Sequence, residues 1–120
     1  MRGEQYLKKP VQYALVYNKG RSWANNLLVM KALSNGLTYS RFGFSVGRRV
    51  GEAVMRNRVK RLLREIMRAT SVQRGWDIIL VARSHTAGVN YAELAAAVED
   101  LLSRASLLVE NYEKIGLRSN

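Results

Sequence analysis

Residues 48–68 hold Arg48, Arg49, Arg56, Arg58, Lys60, Arg61, Arg64 and Arg68 against only two acids, Glu52 and Glu65. From Val54 to Thr70 there is neither glycine nor proline, and Leu, Arg, Lys, Met and Glu all favour helix. At about 100° per residue, Val59, Leu62, Leu63, Ile66, Met67 and Thr70 fall on one side. Asn57, Arg58, Lys60, Arg61, Arg64, Glu65 and Arg68 fall on the other. A chain with this stretch must press one face of a long helix against a core while a cationic ridge faces outward. Along that ridge Arg56, Lys60, Arg64 and Arg68 follow one another at i+4 spacing, where like charges destabilise an isolated helix. A merely solvated face is normally mixed in sign. A ridge that repels itself is accounted for if a polyanion neutralises it.

The charge balance extends the argument to the whole chain. Lys and Arg number 20 against 9 Asp and Glu, a net charge of +11, which calls for an anionic partner, nucleic acid or an anionic membrane. With no cysteine and the single histidine His85, a disulfide framework, a thiolate site and a His-based zinc site are all excluded. Residues 1–10 lack the apolar run of a secretory signal, and no apolar stretch reaches the roughly 18 residues of a membrane span. The expectation is a soluble, cytoplasmic basic protein. Its 120 residues suffice for a single domain with one core, with 1–9 and 110–120 expected to be flexible.

Pro10 suits the first turn of a helix; Val11, Ala14 and Leu15 recur at helical spacing, and Gly20 ends the element. Tyr13 and Tyr17 share one face of it at i and i+4. They serve either the core or a base-stacking platform, with Lys8, Lys9, Lys19 and Arg21 supplying the flanking charge a platform needs. Leu27–Leu33 reads as a strand, and Asn35-Gly36 as a hairpin turn. Between Tyr39 and Gly47 the pattern alternates, with Phe42, Phe44 and Val46 opposite Gly43, Ser45 and Gly47. The small face admits another element or a ligand, and packing is the reading favoured. Trp76–Arg83 is a strand whose run Ile78-Ile79-Leu80-Val81 places it in the interior. Asn90 and Glu93 form a capping box for a closing helix that buries Leu94, Val98, Leu101, Leu102 and Ala105. Its acids, Glu93, Glu99 and Asp100, make that side repel RNA. A strand–helix–strand unit ordinarily implies parallel strands joined by a right-handed crossover, in a small α/β domain.

Catalytic chemistry is not legible in the chain. No carboxylates are paired for metal-assisted hydrolysis, and Asp77 stands beside a strand without an acidic neighbour. His85 sits in a loop with no nucleophile or orienting acid and reads as a surface residue. Gly43 and Gly47 lack the Lys-Ser/Thr ending of a phosphate-binding loop. No catalytic residue and no metal ligand is assigned.

Residues 42–51, Phe-Gly-Phe-Ser-Val-Gly-Arg-Arg-Val-Gly, run into Ala53-Val54-Met55-Arg56-Asn57-Arg58-Val59-Lys60-Arg61-Leu62-Leu63-Arg64-Glu65. This ordered set closely resembles the protein component of bacterial ribonuclease P, with its strand (L/F)-G-(I/F)-S-V, a basic turn, and Arg-Asn-Arg-x-x-Arg on a helix. Leu7-Lys8-Lys9, Tyr13, Lys19-Gly20-Arg21-Ser22, Ala24-Asn25, residues 77–83 and Tyr91 extend it over roughly residues 6–108. The resemblance implies a four-stranded mixed sheet packed with helices, an α+β sandwich of order α-β-β-β-α-β-α. It also implies that the crossover through the basic helix is left-handed. It further implies the protein subunit of a ribonucleoprotein that removes the 5′ leader of precursor tRNA, the RNA doing the chemistry with Mg2+. The partners implied are the catalytic RNA and precursor tRNA, with no membrane and no obligate protein partner. Arg48, Arg49, Arg56, Asn57, Arg58, Lys60, Arg61, Arg64 and Arg68 are then the RNA-binding set. Lys9, Tyr13, Tyr17 and Lys31 line the cleft for the leader, Lys31 offering a phosphate contact where some members have an aromatic. Tyr6 stands where a basic residue is common. The competing readings are a general RNA-binding protein using the same ridge, a DNA-compacting protein, and a metal nuclease acting alone.

Overall fold

The computed structural model describes residues 5–109. Among them the order is α1 (Pro10–Lys19), β1 (Arg21–Ala24), β2 (Leu28–Ser34), β3 (Arg41–Val46), α2 (Ala53–Arg68), β4 (Trp76–Ala82) and α3 (Tyr91–Arg104), with short 3-10 turns at Arg48–Val50 and Ser84–Thr86. This is the α-β-β-β-α-β-α order expected. The strands form one sheet in the order β1-β2-β4-β3. β1 and β2, and β2 and β4, pair antiparallel, whereas β3 and β4 are parallel.

β4 lies inside the sheet and is covered on both faces, which is why its sequence is an unbroken apolar run instead of an alternation. On one face Ile78 and Leu80 join Leu28, Met30 and Phe42 beneath α2 and α3. There α2 contributes Val59, Leu63, Ile66 and Met67, and α3 contributes Leu94, Val98, Leu101 and Leu102. On the other face Ile79 packs with Leu7 and Val16 under α1. Asn90 caps α3 reciprocally: its side chain accepts from the Glu93 amide at 2.8 Å, and its own amide donates to Glu93 at 3.1 Å. No helix of the described residues is long and apolar enough to cross a membrane.

The crossover from β3 through α2 to β4 is left-handed, against the ordinary rule. Its hand follows from the hydrogen bonds of Phe42, whose side chain sits in the layer under α2. The Phe42 amide donates to the Gln5 carbonyl, and its carbonyl accepts from Leu7. In a strand of L-residues running upward, the backbone groups of a residue facing the viewer point right. From the α2 side, the Gln5–Leu7 segment is therefore to the right of β3 and β4 to its left. Gly51 starts the turn into α2 at φ 149°, a conformation that side-chain-bearing residues avoid.

Three expectations need correction. The first nine residues are not all a loose arm: Tyr6 bridges to Phe42 and Leu7 is buried. Residues 1–4 and 110–120, also expected to be flexible, lie outside the described residues. The stripe Val11, Ala14, Leu15 is not the core face of α1; Val11 is 62% and Leu15 48% exposed, and Val16 is the buried anchor. Asn35-Gly36 does turn the chain, but not as a hairpin, because β4 is inserted between the two strands it connects.

Asn35 spends its side chain on that turn instead. It accepts from the Leu37 amide at 2.7 Å and donates to Asp77 at 2.9 Å. Asp77, at 5% exposure, also receives a bidentate pair from Arg41, Nε at 2.8 Å and Nη2 at 2.7 Å. These bonds keep the Arg41 guanidinium protonated above its ordinary range. The start of β3 is thus pinned to β4 by a partly buried ion pair.

Candidate nucleic-acid interface

α2 carries its charge as its periodicity requires, with Asn57, Arg61, Arg64 and Arg68 exposed and Lys60 half-buried. Neither Arg61 nor Arg64 is in an ion pair with a described residue. Arg48 and Arg49 are exposed on the 3-10 turn before the helix, which Val50 anchors in the core. These side chains extend the ridge beyond the N-terminus of α2.

Two members of the expected set behave differently. Arg56 is half-buried and donates from Nη1 to the Gly51 carbonyl at 3.1 Å, tying the helix to the turn that starts it. Arg58 turns away from the ridge: Nη2 donates to the Val89 carbonyl at 3.0 Å, and Nη1 is enclosed without an acceptor among the described residues. Its place in the motif therefore does not make it a surface contact. It clamps α2 to the segment that leads into α3. Replacing it should cost folding stability and not RNA electrostatics. Arg58→Met is expected to lose about 1.5–3 kcal/mol, the usual value of a hydrogen bond to a charged group. The slope of log affinity against log salt should stay that of the parent. A slope reduced by the roughly 0.7–0.9 that one phosphate contact contributes would return Arg58 to the ridge.

The second candidate site lies on the opposite face, under α1. Sheet register puts Lys31, Ile79 and Gly43 side by side in one row, spanning about 10 Å at the usual strand spacing. Val16 covers Ile79, and Tyr13 covers Gly43 so closely that a Cβ there would lie 2.8 Å from its ring. Gly43 is therefore a packing glycine, as the small face of β3 suggested. It allows the hydroxyl end of the Tyr13 ring to approach the strand closely. The Tyr13 hydroxyl reaches toward the Leu7 carbonyl at 3.4 Å. Burial first, and then the neighbouring Tyr17 phenol, push the Tyr13 phenol above its ordinary range, partly offset by a backbone hydrogen bond at Phe44. One turn on, Tyr17 is 40% exposed. Lys9 is exposed at the start of α1, where Gln12 accepts from the amides of both Lys8 and Lys9 at 3.0 Å.

The structure thus brings Tyr13, Tyr17 and Lys31 to one face and leaves the α2 ridge on the other. His85 is exposed in its 3-10 turn. Among the described residues no group of three or more histidines and carboxylates could hold a metal. The Arg41–Asp77 pin was missed by the sequence reading. Its signal was a lone acid in an apolar strand, with an arginine on the same-facing parity of β3.

Comparison with known proteins places these features in context. Residues 1–106 match the family model described as Ribonuclease P. The ribonuclease P protein component of Dehalococcoides mccartyi strain CBDB1 is 40% identical over 120 residues, covering 100% of both chains. That of Clostridium kluyveri is 38% identical over 105 residues, 84% of this chain and 94% of its own. Among solved structures, the ribonuclease P protein of Thermotoga maritima superimposes with a TM-score of 0.77 at 29% identity, over 89% of this chain and 99% of that one.

Proposed function

The chain belongs to the ribonuclease P protein family, and from that premise we propose how it serves as the subunit of a ribonucleoprotein that matures tRNA 5′ ends. The ridge of Arg48, Arg49, Lys60, Arg61, Arg64 and Arg68, with Asn57, docks on the catalytic RNA. The cleft of Lys9, Tyr13, Tyr17 and Lys31 holds the single-stranded 5′ leader of precursor tRNA. The observation that carries this reading is their separation: cationic ridge and aromatic cleft occupy opposite faces of one sheet. A protein built this way can hold two RNAs at once without making them compete.

A leader that varies in sequence has to be held by its phosphates and ring faces, because base edges carry the sequence. Tyr13 and Tyr17 present ring faces, and Lys9 and Lys31 present charge. Mature tRNA lacks the leader, so the cleft discriminates substrate from product. The ridge neutralises phosphates and lowers the repulsion between catalytic RNA and substrate, and with it the Mg2+ the RNA requires. Hydrolysis and the metal remain with the RNA.

The test is cleavage of precursor tRNA at low Mg2+ by the catalytic RNA, with and without the protein. Restored 5′ maturation is expected, with no cleavage by protein alone. Binding without any gain in rate would favour a general RNA-binding protein. Tyr13→Ala with Tyr17→Ala addresses the cleft itself. Base–aromatic stacking is worth about 1–3 kcal/mol per base, so precursor affinity should fall roughly tenfold or more while mature tRNA affinity holds. An equal loss for both RNAs would remove the leader from this cleft.

A further inference from the structure

An open groove of about 750 Å³ lies where the C-terminal end of α2 meets the segments before β3 and before β4. Its described lining includes Arg68 and Arg74 with the hydroxyl-bearing Thr38, Tyr39 and Ser71, and no carboxylate among the described residues. Val72 and Val109 supply the accessible apolar part of its lining. Arg74 and Ser71 are exposed, and the Tyr39 ring is 42% exposed.

We propose that this groove is a further RNA-binding subsite, taking the sugar–phosphate backbone of a single-stranded segment that continues from the α2 ridge. Arg68 belongs to both: it ends the i+4 row and lines the groove. The row advances about 6 Å per step, and a strand that follows it to Arg68 enters the groove that Arg74 also lines. Two arginines with hydroxyl donors, and no acid among the described residues, are a lining that suits phosphate. The apolar lining and the exposed Tyr39 suit an unpaired base, which a duplex would keep stacked.

The C-terminal end of a helix ordinarily repels anions. Here its last carbonyls are already engaged: the Thr70 hydroxyl donates to Ile66 at 2.6 Å, the Ala69 amide to Glu65 and Ile66, and the Thr70 amide to Met67. The wall is also fixed in place, since the Ser40 hydroxyl donates to the Gln73 carbonyl at 2.7 Å and accepts from the Trp76 amide at 3.0 Å.

The proposal rests on the ridge binding RNA, and its test separates the two. The chain has no cysteine, so Ser71→Cys provides one attachment point for a photoreactive aryl azide. The labelled protein is assembled with catalytic RNA and precursor tRNA and irradiated, and crosslinks are mapped by primer extension. In parallel, Arg74→Gln and Arg61→Gln are compared for the salt dependence of catalytic-RNA and precursor binding. The groove stands if the probe crosslinks to RNA and Arg74→Gln lowers the slope by the roughly 0.7–0.9 expected for one phosphate. The crosslinked RNA identifies the source of the strand. Loss of slope in Arg61→Gln alone, or crosslinks only to protein, overturns the groove and leaves the ridge intact. No loss in either variant overturns both.

Discussion

Arg61→Glu with Arg64→Glu should abolish most of the protein's affinity for its RNA partner while leaving the fold about as stable as before. Both side chains are exposed and in no ion pair with a described residue, so nothing in the fold depends on them. Glutamate is as good a helix former as arginine; position 64 gains an attractive i+4 pairing with Lys60 while position 61 loses one with Glu65, so these terms roughly offset. The RNA side behaves oppositely. Each charged hydrogen bond lost costs about 1.5–3 kcal/mol, and the two acids add repulsion. At about 1.4 kcal/mol per decade, the two together amount to roughly 100-fold or more. The check is filter binding across a salt series beside a thermal melt of the free protein. Affinity within twofold of the parent at physiological salt would mean the ridge is not the RNA surface. A melt that collapses would mean that Arg61 or Arg64 has a structural role the fold does not reveal.

The contrast with Arg58 shows how far the sequence could be read. The periodicity of α2 separates core from surface correctly because the signal is local: a side chain's angle around the helix depends on its position alone. What that angle cannot state is what stands beside the helix. Arg58 lies on the polar side by angle, yet the segment before α3 comes close enough for the Val89 carbonyl to accept a hydrogen bond from it. That approach is set by residues about thirty positions away in sequence, and no local pattern records it. The same reason explains α1. Val11, Ala14 and Leu15 make a plausible apolar stripe, but the sheet meets the helix at Tyr13 and Val16. The choice was made by β3, where Gly43 leaves room for a ring. The turn at Asn35-Gly36 was recognised and its partner strands misjudged, since turn chemistry is local and strand insertion is not. The hand of the crossover came from the family resemblance, because the physical default points the other way.

Arg41→Ala should be the most damaging single substitution outside the apolar core, and it bears on the cleft as well as on stability. Asp77 is almost fully enclosed and would be left with Asn35 as its remaining side-chain partner. Breaking a buried pair from one side costs about 3–5 kcal/mol, because the orphaned charge stays desolvated. Arg41 itself keeps some contact with water, its side chain being 21% exposed, so the lower end of that range is expected. For a domain of this size that lowers the melting temperature by on the order of 10 °C. Arg41→Met with Asp77→Leu removes both charges and should recover much of the loss, as apolar replacements of buried pairs often do. The functional consequence follows from position. Arg41 and Gly43 lie on the same face of β3, two residues apart, and the ion pair fixes β3 against β4 at the end where the chain enters the strand. Loosening that end loosens the floor on which Tyr13 rests. Arg41→Ala, assayed well below its melting temperature, should therefore lose preference for precursor over mature tRNA while keeping its affinity for the catalytic RNA, whose ridge stands on the other face. A single variant that lost both affinities equally would show that the two faces of the sheet are not independent, and a drop of less than about 1 kcal/mol would place the pair among the surface bridges that contribute little.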